Sequence, residues 1–138
     1  MITLHHLDQS RSFRILWALE ELGLDYDIKF YHRQPNFSAP NELKLIHPLG
    51  KAPILTDAEQ TIAESAVILE YLQQHYDLQA QFKPQQTSAQ QAYQYWMHYA
   101  EGSLMPLLVM QLVLTKVPQQ VPWLVRPMAQ KITAGVKA

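Results

Sequence analysis

No cysteine occurs in the chain, and that single absence removes several chemistries. A disulfide framework, a zinc–thiolate site and a thiol nucleophile supplied by the protein are all excluded. Net charge is nearly absent too. Eleven Lys and Arg stand against 12 Asp and Glu, a formal charge of −1, and the cations are scattered along the chain. Binding to phosphate backbones rests on grouped cations, so no nucleic-acid partner is expected. Long apolar runs are also missing. The longest, Leu104 to Leu114, contains Pro106 and Gln111 and is too short to span a bilayer, so no membrane partner is expected. The start, Met1-Ile2-Thr3-Leu4-His5-His6, has neither the basic region nor the apolar stretch of a signal peptide. A cytoplasmic location is the expectation. His5, His6, His32, His47, His75 and His98 show no close ligand spacing, so no metal site is expected.

What is present suits a packed domain with an appendage: 138 residues, 48% hydrophobic. Ile2 to Leu7 reads as a short buried strand that ends at Asp8-Gln9-Ser10-Arg11-Ser12. From Phe13 to Leu22, Ile15, Leu16, Leu19 and Leu22 share a helical face, with Ser10 and Ser12 both suited to cap it and Gly23 to close it. Asp25 to His32 alternates as a strand, with Tyr26, Ile28 and Phe30 on one side. Asn41 to Ile46 predicts one short helix. Ala52 to Thr56 and Thr61 to Ala63 predict a hairpin, and Glu64 to about His75 a third helix.

The order is therefore βαβ, a short helix, then ββα. A crossover helix makes the first two strands parallel and the hairpin adds an antiparallel pair. An α/β domain with a mixed four-stranded sheet is expected over 1–76, followed by a linker over 77–86 and an incomplete all-helical domain over 87–138. In that second domain Tyr95, Trp96 and Tyr99 line one helical face, read first as packing or a dimer interface and otherwise as the wall of a ligand pocket. Pro106 is expected to kink or end the helix. The remainder reads as irregular around prolines 118, 122 and 127, with a weakly amphipathic tail from Pro127 to Val136.

Four local features carry chemistry together. Ala52-Pro53 opens a strand. An X-Pro bond held cis there would turn the Ala52 backbone outward, whereas an ordinary trans proline would merely start an edge strand. Glu64-Ser65 begins the third helix, where backbone N–H groups, the helix dipole and a hydroxyl attract a carboxylate and Glu64 attracts an ammonium. The plainer reading is a capping serine beside a solvated glutamate. Ser10, with Ser12 competing, lies where a hydroxyl would donate to a thiolate and stabilise it. Lys51 sets a cation beside Ala52-Pro53.

In this order, the segments Leu7-Asp8-Gln9-Ser10-Arg11-Ser12-Phe13-Arg14, His47-Pro48-Leu49-Gly50-Lys51-Ala52-Pro53-Ile54-Leu55 and Ala63-Glu64-Ser65-Ala66-Val67-Ile68 resemble the amino-terminal, thioredoxin-like domain of cytosolic glutathione transferases. The resemblance covers residues 1 to 76 and points to the theta-like and bacterial serine type. It implies glutathione as co-substrate. Ser65 and Glu64 would hold the γ-glutamyl end, and Ala52 with a cis Pro53 the cysteinyl unit. Lys51 would lie near the glycyl end, joined by a residue of the 34–37 loop, and Ser10 would stabilise the thiolate. A tyrosine-type enzyme is disfavoured because that loop holds no tyrosine, and a cysteine-type enzyme and a Cys-x-x-Cys oxidoreductase are excluded.

The resemblance implies transfer of the glutathione thiolate to small hydrophobic electrophiles, or glutathione-dependent reduction. The alternative is a non-catalytic glutathione-binding or protein-interaction module. Family members are longer, so most of the helical bundle is missing here. The apolar residues Leu107, Leu108, Met110, Leu112 and Val113 are then expected to be uncovered and to drive formation of a homodimer or larger oligomer.

Overall fold

The computed structural model describes residues 1–120 and 122–128. Two units divide the chain, Met1–Gln90 and a second beginning at Gln91. In the first, β1 (Ile2–Leu7), α1 (Ser12–Glu21) and β2 (Tyr26–Tyr31) are followed by α2 (Glu42–Ile46), then by β3 (Ile54–Asp57), β4 (Gln60–Ala63) and α3 (Ser65–His75). The sheet has four strands in the order β2-β1-β3-β4. β1 pairs parallel to β2 and antiparallel to β3, and β3 pairs antiparallel to β4. This is the expected mixed sheet and the expected thioredoxin-like element order.

Because β1 pairs on both sides, its alternating side chains must all find partners above and below the sheet. On one face Ile2 and Leu4 pack with Ile15 and Leu19 of α1, Leu55 of β3, and Ile68 and Leu72 of α3. On the other, Leu7 packs with Tyr31, Ile54 and Leu43 of α2. His5 lies on that second face, buried, with Nδ1 2.9 Å from the Tyr31 hydroxyl and Nε2 3.4 Å from Thr56 Oγ1. Burial, and then the charge of Lys29, hold its pKa below the ordinary value.

Phe30 lies on the same side of β2 as Tyr26 and Ile28, as expected, yet is 61% exposed, whereas Tyr31 on the other side is buried with Leu43 of α2. Neither serine occupies the cap position of α1. Arg11 does, without a side-chain cap bond, and Ser12 is the first helical residue. Gly23 closes α1 as expected. With φ of +62° it lets its own N–H reach the Glu20 carbonyl at 3.0 Å and that of Leu24 reach Leu19 at 3.2 Å, a Schellman closure.

In the second part of the chain, α4 (Thr87–Tyr99) passes through a π-helical turn at Ala100–Leu104 into α5 (Met105–Gln120). Pro106 does not end the helical run: it is the second residue of α5, directly after the π-helical turn, and the run continues to Gln120. α5 also runs past position 118, which had been read as irregular. Tyr95 and Trp96 are 58% and 61% exposed, so this chain does not bury them as core. Leu107, Leu108, Met110, Leu112 and Val113 are exposed as expected. The amphipathic tail expected from Pro127 to Val136 lies outside the described residues beyond position 128.

Asp57, at the end of β3, is a buried carboxylate that the sequence did not flag. Its Oδ2 accepts hydrogen bonds from the hydroxyls of Tyr71, at 3.0 Å, and Tyr76, and its Oδ1 lies 3.6 Å from the amino terminus. These bonds tie the sheet to the last turn of α3. The Tyr76 bond, partly opposed by burial, lowers the Asp57 pKa, and the same bond pushes Tyr76 up to about 12. A carboxylate with a depressed native pKa stabilises the fold above its unfolded value near 3.8 and stops doing so as pH falls through the native one. A tyrosine with a raised pKa stabilises the fold below pH 10 and stops as pH rises through about 12. Urea unfolding followed across pH should therefore show stability falling below about pH 4 and above about pH 10. Asp57→Asn should flatten both limbs and lower the plateau between them by about 1–3 kcal/mol.

Candidate functional site

The ladder registers bring three separate sequence segments to one end of the sheet. Ile54 of β3 lies between His5 of β1 and Ala63 of β4. Continuing both registers past Ile54 sets Pro53 and Ala52 between the end of β1, which leads into the 8–12 loop, and Glu64-Ser65, which opens α3. Three of the expected elements thus converge by strand pairing alone.

Each element has a distinctive local geometry. The Ala52–Pro53 peptide bond is cis. Pro53 is buried and Ala52 half-buried, and Ala52 stands outside the ladder, which begins at Ile54, so its backbone groups are not committed to β4. Gly50, at φ +57°, shapes the turn just before. A β-carbon there would lie 2.5 Å from Cγ of Lys44, so the lysine stem closes over a position that only glycine fits. Lys51 follows, exposed.

Glu64 is the cap residue of α3, held at φ 74° and ψ 128°. A left-handed conformation costs a non-glycine residue about 1–2 kcal/mol, a strain that typically collects at functional sites. Its side chain makes no cap bond and is exposed. Ser65, the first residue of the helix, is only 2% exposed, and its Oγ has no hydrogen-bond partner among the described residues. A buried hydroxyl without a partner is rare. Here it sits at a helix N-terminus, where N–H groups and the helix dipole favour an anion.

The two serines of the 8–12 loop separate clearly. Ser12 is fully buried. Its Oγ accepts the Leu7 N–H at 3.3 Å and lies 3.0 Å from His6 Nδ1 and 2.6 Å from Ser10 Oγ. Ser10 is half-exposed and accepts the Ser12 N–H at 3.2 Å. Of the pair, only Ser10 has a side chain open to an incoming molecule.

Sequence reasoning missed the residue that holds this loop. Arg33 donates from Nε to the Asp8 carbonyl at 2.9 Å, from one terminal nitrogen to the Gln9 carbonyl at 3.1 Å, and from the other to the Phe37 carbonyl at 2.7 Å. It thereby clamps the 8–10 segment to the 34–38 loop, and His32 Nδ1 adds a 2.6 Å bond to Asp8 Oδ2. An arginine just after a strand carries no local signal of its bonds to Asp8 and Gln9, which lie more than 20 positions away.

A βαβ unit joined to a ββα unit, with a cis-proline before the third strand, defines a thioredoxin-like domain. Residues 1–74 match the family model described as glutathione S-transferase, N-terminal domain, and the chain belongs to that family. Over 96% of its length it is 40% identical to glutathione S-transferase 1 of Saccharomyces cerevisiae, covering 62% of that protein. Over its full length it is 41% identical to glutathione S-transferase 3 of Schizosaccharomyces pombe, covering 57%. The crystal structure of a glutathione S-transferase from Actinobacillus pleuropneumoniae superposes with a TM-score of 0.75 at 39% identity, covering 99% of this chain and 61% of that one. The chain therefore spans about three-fifths of the length of each relative.

The contrasting environments of the two buried serines make a stability test. Ser12→Ala should cost about 1–3 kcal/mol, because it strips partners from buried groups. Ser65→Ala should change stability by no more than about 0.5 kcal/mol, because its hydroxyl has no bond to lose. Urea unfolding midpoints of the two variants check this, and a large loss on Ser65→Ala would mean that its hydroxyl is already paired.

Proposed function

We propose that the first unit binds glutathione and that the protein acts as a glutathione transferase, or as a glutathione-dependent reductase, through Ser10. The observation that carries this reading is the buried Ser65 hydroxyl at the N-terminus of α3, which has no hydrogen-bond partner among the described residues, together with the cis Ala52–Pro53 bond just outside the β3–β4 ladder. In this reading Ser65 and the helix N-terminus take the γ-glutamyl carboxylate and Glu64 the ammonium. Ala52 pairs with the cysteinyl backbone, and Lys51 takes the glycyl carboxylate. Relatives about 40% identical that carry the name glutathione S-transferase support the same reading.

The chemistry then asks little of the protein. A thiol with a pKa near 8.5 is only a few per cent ionised at pH 7. The Ser10 hydroxyl donates to the sulfur and favours the thiolate. A shift of about two units makes the thiolate dominant and corresponds to roughly 2.7 kcal/mol. The thiolate attacks an electrophilic carbon, a carbon–sulfur bond forms, and the leaving group departs with its electron pair. The electrophile is small and hydrophobic, the assembly a homodimer, the compartment the cytoplasm, and no metal takes part.

Isothermal titration with reduced glutathione should show saturable binding, weakened at least about tenfold by Ser65→Ala, the loss of one charge-assisted hydrogen bond. Ser10→Ala should leave glutathione affinity within about twofold while lowering kcat toward a generic electrophile by about ten- to a hundredfold. Binding without turnover would favour a non-catalytic glutathione-binding module. A folded sample that does not bind glutathione would overturn the proposal.

A further inference from the structure

The contacts around Ser12 fix where its proton and that of Ser10 can go. A serine hydroxyl carries one proton and accepts two hydrogen bonds. Ser12 Oγ is buried with three close neighbours, the Leu7 N–H at 3.3 Å, His6 Nδ1 at 3.0 Å and Ser10 Oγ at 2.6 Å, and a more distant fourth, the Leu7 carbonyl at 3.4 Å. The Leu7 N–H can only donate. The other two bonds each have two possible directions, and they are linked.

If His6 Nδ1 carries a proton, it fills the second lone pair of Ser12. Ser12 must then donate to Ser10. Ser10 in turn accepts both the Ser12 hydroxyl and the Ser12 N–H, the latter at 3.2 Å, so its own proton is free to point out of the protein. If the proton sits on Nε2 instead, Ser12 donates to Nδ1, Ser10 must donate inward to Ser12, and only its lone pairs face outward. A hydroxyl in the second state repels a thiolate. The first state stabilises one.

We infer that His6 is a positioning residue which, with its proton on Nδ1 and acting through the buried Ser12, aims the Ser10 hydroxyl outward as a hydrogen-bond donor. The fold supports this role sterically. His6 is the sixth residue from the chain start, on the central strand, and its ring is braced edge-on by Phe30 at 5.4 Å and by Phe13 at 6.5 Å between centroids. The Ser12 hydroxyl is also 3.4 Å from the Leu7 carbonyl, a longer alternative that a donating Nδ1 leaves unused. The inference rests on Ser10 being the thiolate donor, but the direction of the relay can be measured without any ligand.

Nitrogen-15 NMR of the full chain, correlating the His6 ring nitrogens with its carbon-bound protons, distinguishes the two neutral tautomers directly. Nδ1 should show the shift of a protonated nitrogen and Nε2 that of an unprotonated one. The opposite pattern would overturn the inference. The functional arm is the thiolate absorbance of bound glutathione, titrated with pH in four variants. Ser10→Ala and His6→Leu should each lower the thiolate fraction about tenfold, one pKa unit, with glutathione affinity little changed. His6→Asn, whose amide can donate from the same position, should retain most of it, and Ser12→Ala should behave like His6→Leu if it remains folded. An effect of Ser10→Ala with none from His6→Leu would overturn the relay and leave the role of Ser10 standing. No effect of Ser10→Ala, or no glutathione binding, would overturn that role and the relay with it.

Discussion

The structure depends on β1 being paired along both edges. A strand with neighbours on each side has no solvent-facing edge, so successive side chains must be accepted by a layer above the sheet or a layer below it. Ile2 and Leu4 are accepted by α1 and α3, Leu7 by α2, and His5 by the Tyr31 hydroxyl. A one-residue slip would drive His5 into the aliphatic cluster and Leu4 toward a hydroxyl. The register is therefore strongly determined. With it, the register of β3 is determined as well.

The candidate site is a consequence of that register. Residues 7, 52 and 65 are far apart in sequence, yet each lies two positions beyond the point where the two antiparallel ladders stop pairing, at His5, Ile54 and Ala63. Ladder bonds end there, so backbone groups become available to a ligand, and the helix that follows β4 begins there with its positive end. The left-handed Glu64 lets the chain turn from β4 into α3 within one residue and leaves the Ser65 hydroxyl buried but unused. The loop on the other side is held by side-chain bonds rather than by ladder pairing. Arg33 grips the carbonyls of Asp8, Gln9 and Phe37, and Ser12 anchors the loop to the end of β1. The site is thus built on rigid strand ends, with one clamped loop.

Much of this was legible in the chain. The alternation and helical periods over residues 2–75 reflect burial on one face, and the order of elements follows from them. Ala52-Pro53, Glu64-Ser65 and Ser10 stood out because proline, a helix start and a strand-to-helix loop each restrict what a residue there can do. The hidden parts have physical reasons. Asp57 looks like a hairpin-turn aspartate until Tyr71 and Tyr76 arrive from α3 to bond it. Arg33 looks like a surface charge until the carbonyls of Asp8 and Gln9 come within reach of its guanidinium. Tyr31 looks like one more strand residue until Leu43 of α2 packs against it.

By itself the sequence determined the class of fold and excluded a protein thiol, because periodicity, chain punctuation and composition are local properties. It also brought two serines into contention without separating them. Only the tertiary structure decided between their environments, burying Ser12 against Leu7 and His6 and leaving Ser10 open, because burial and hydrogen-bond partnership are set by residues that meet only after the strands have paired.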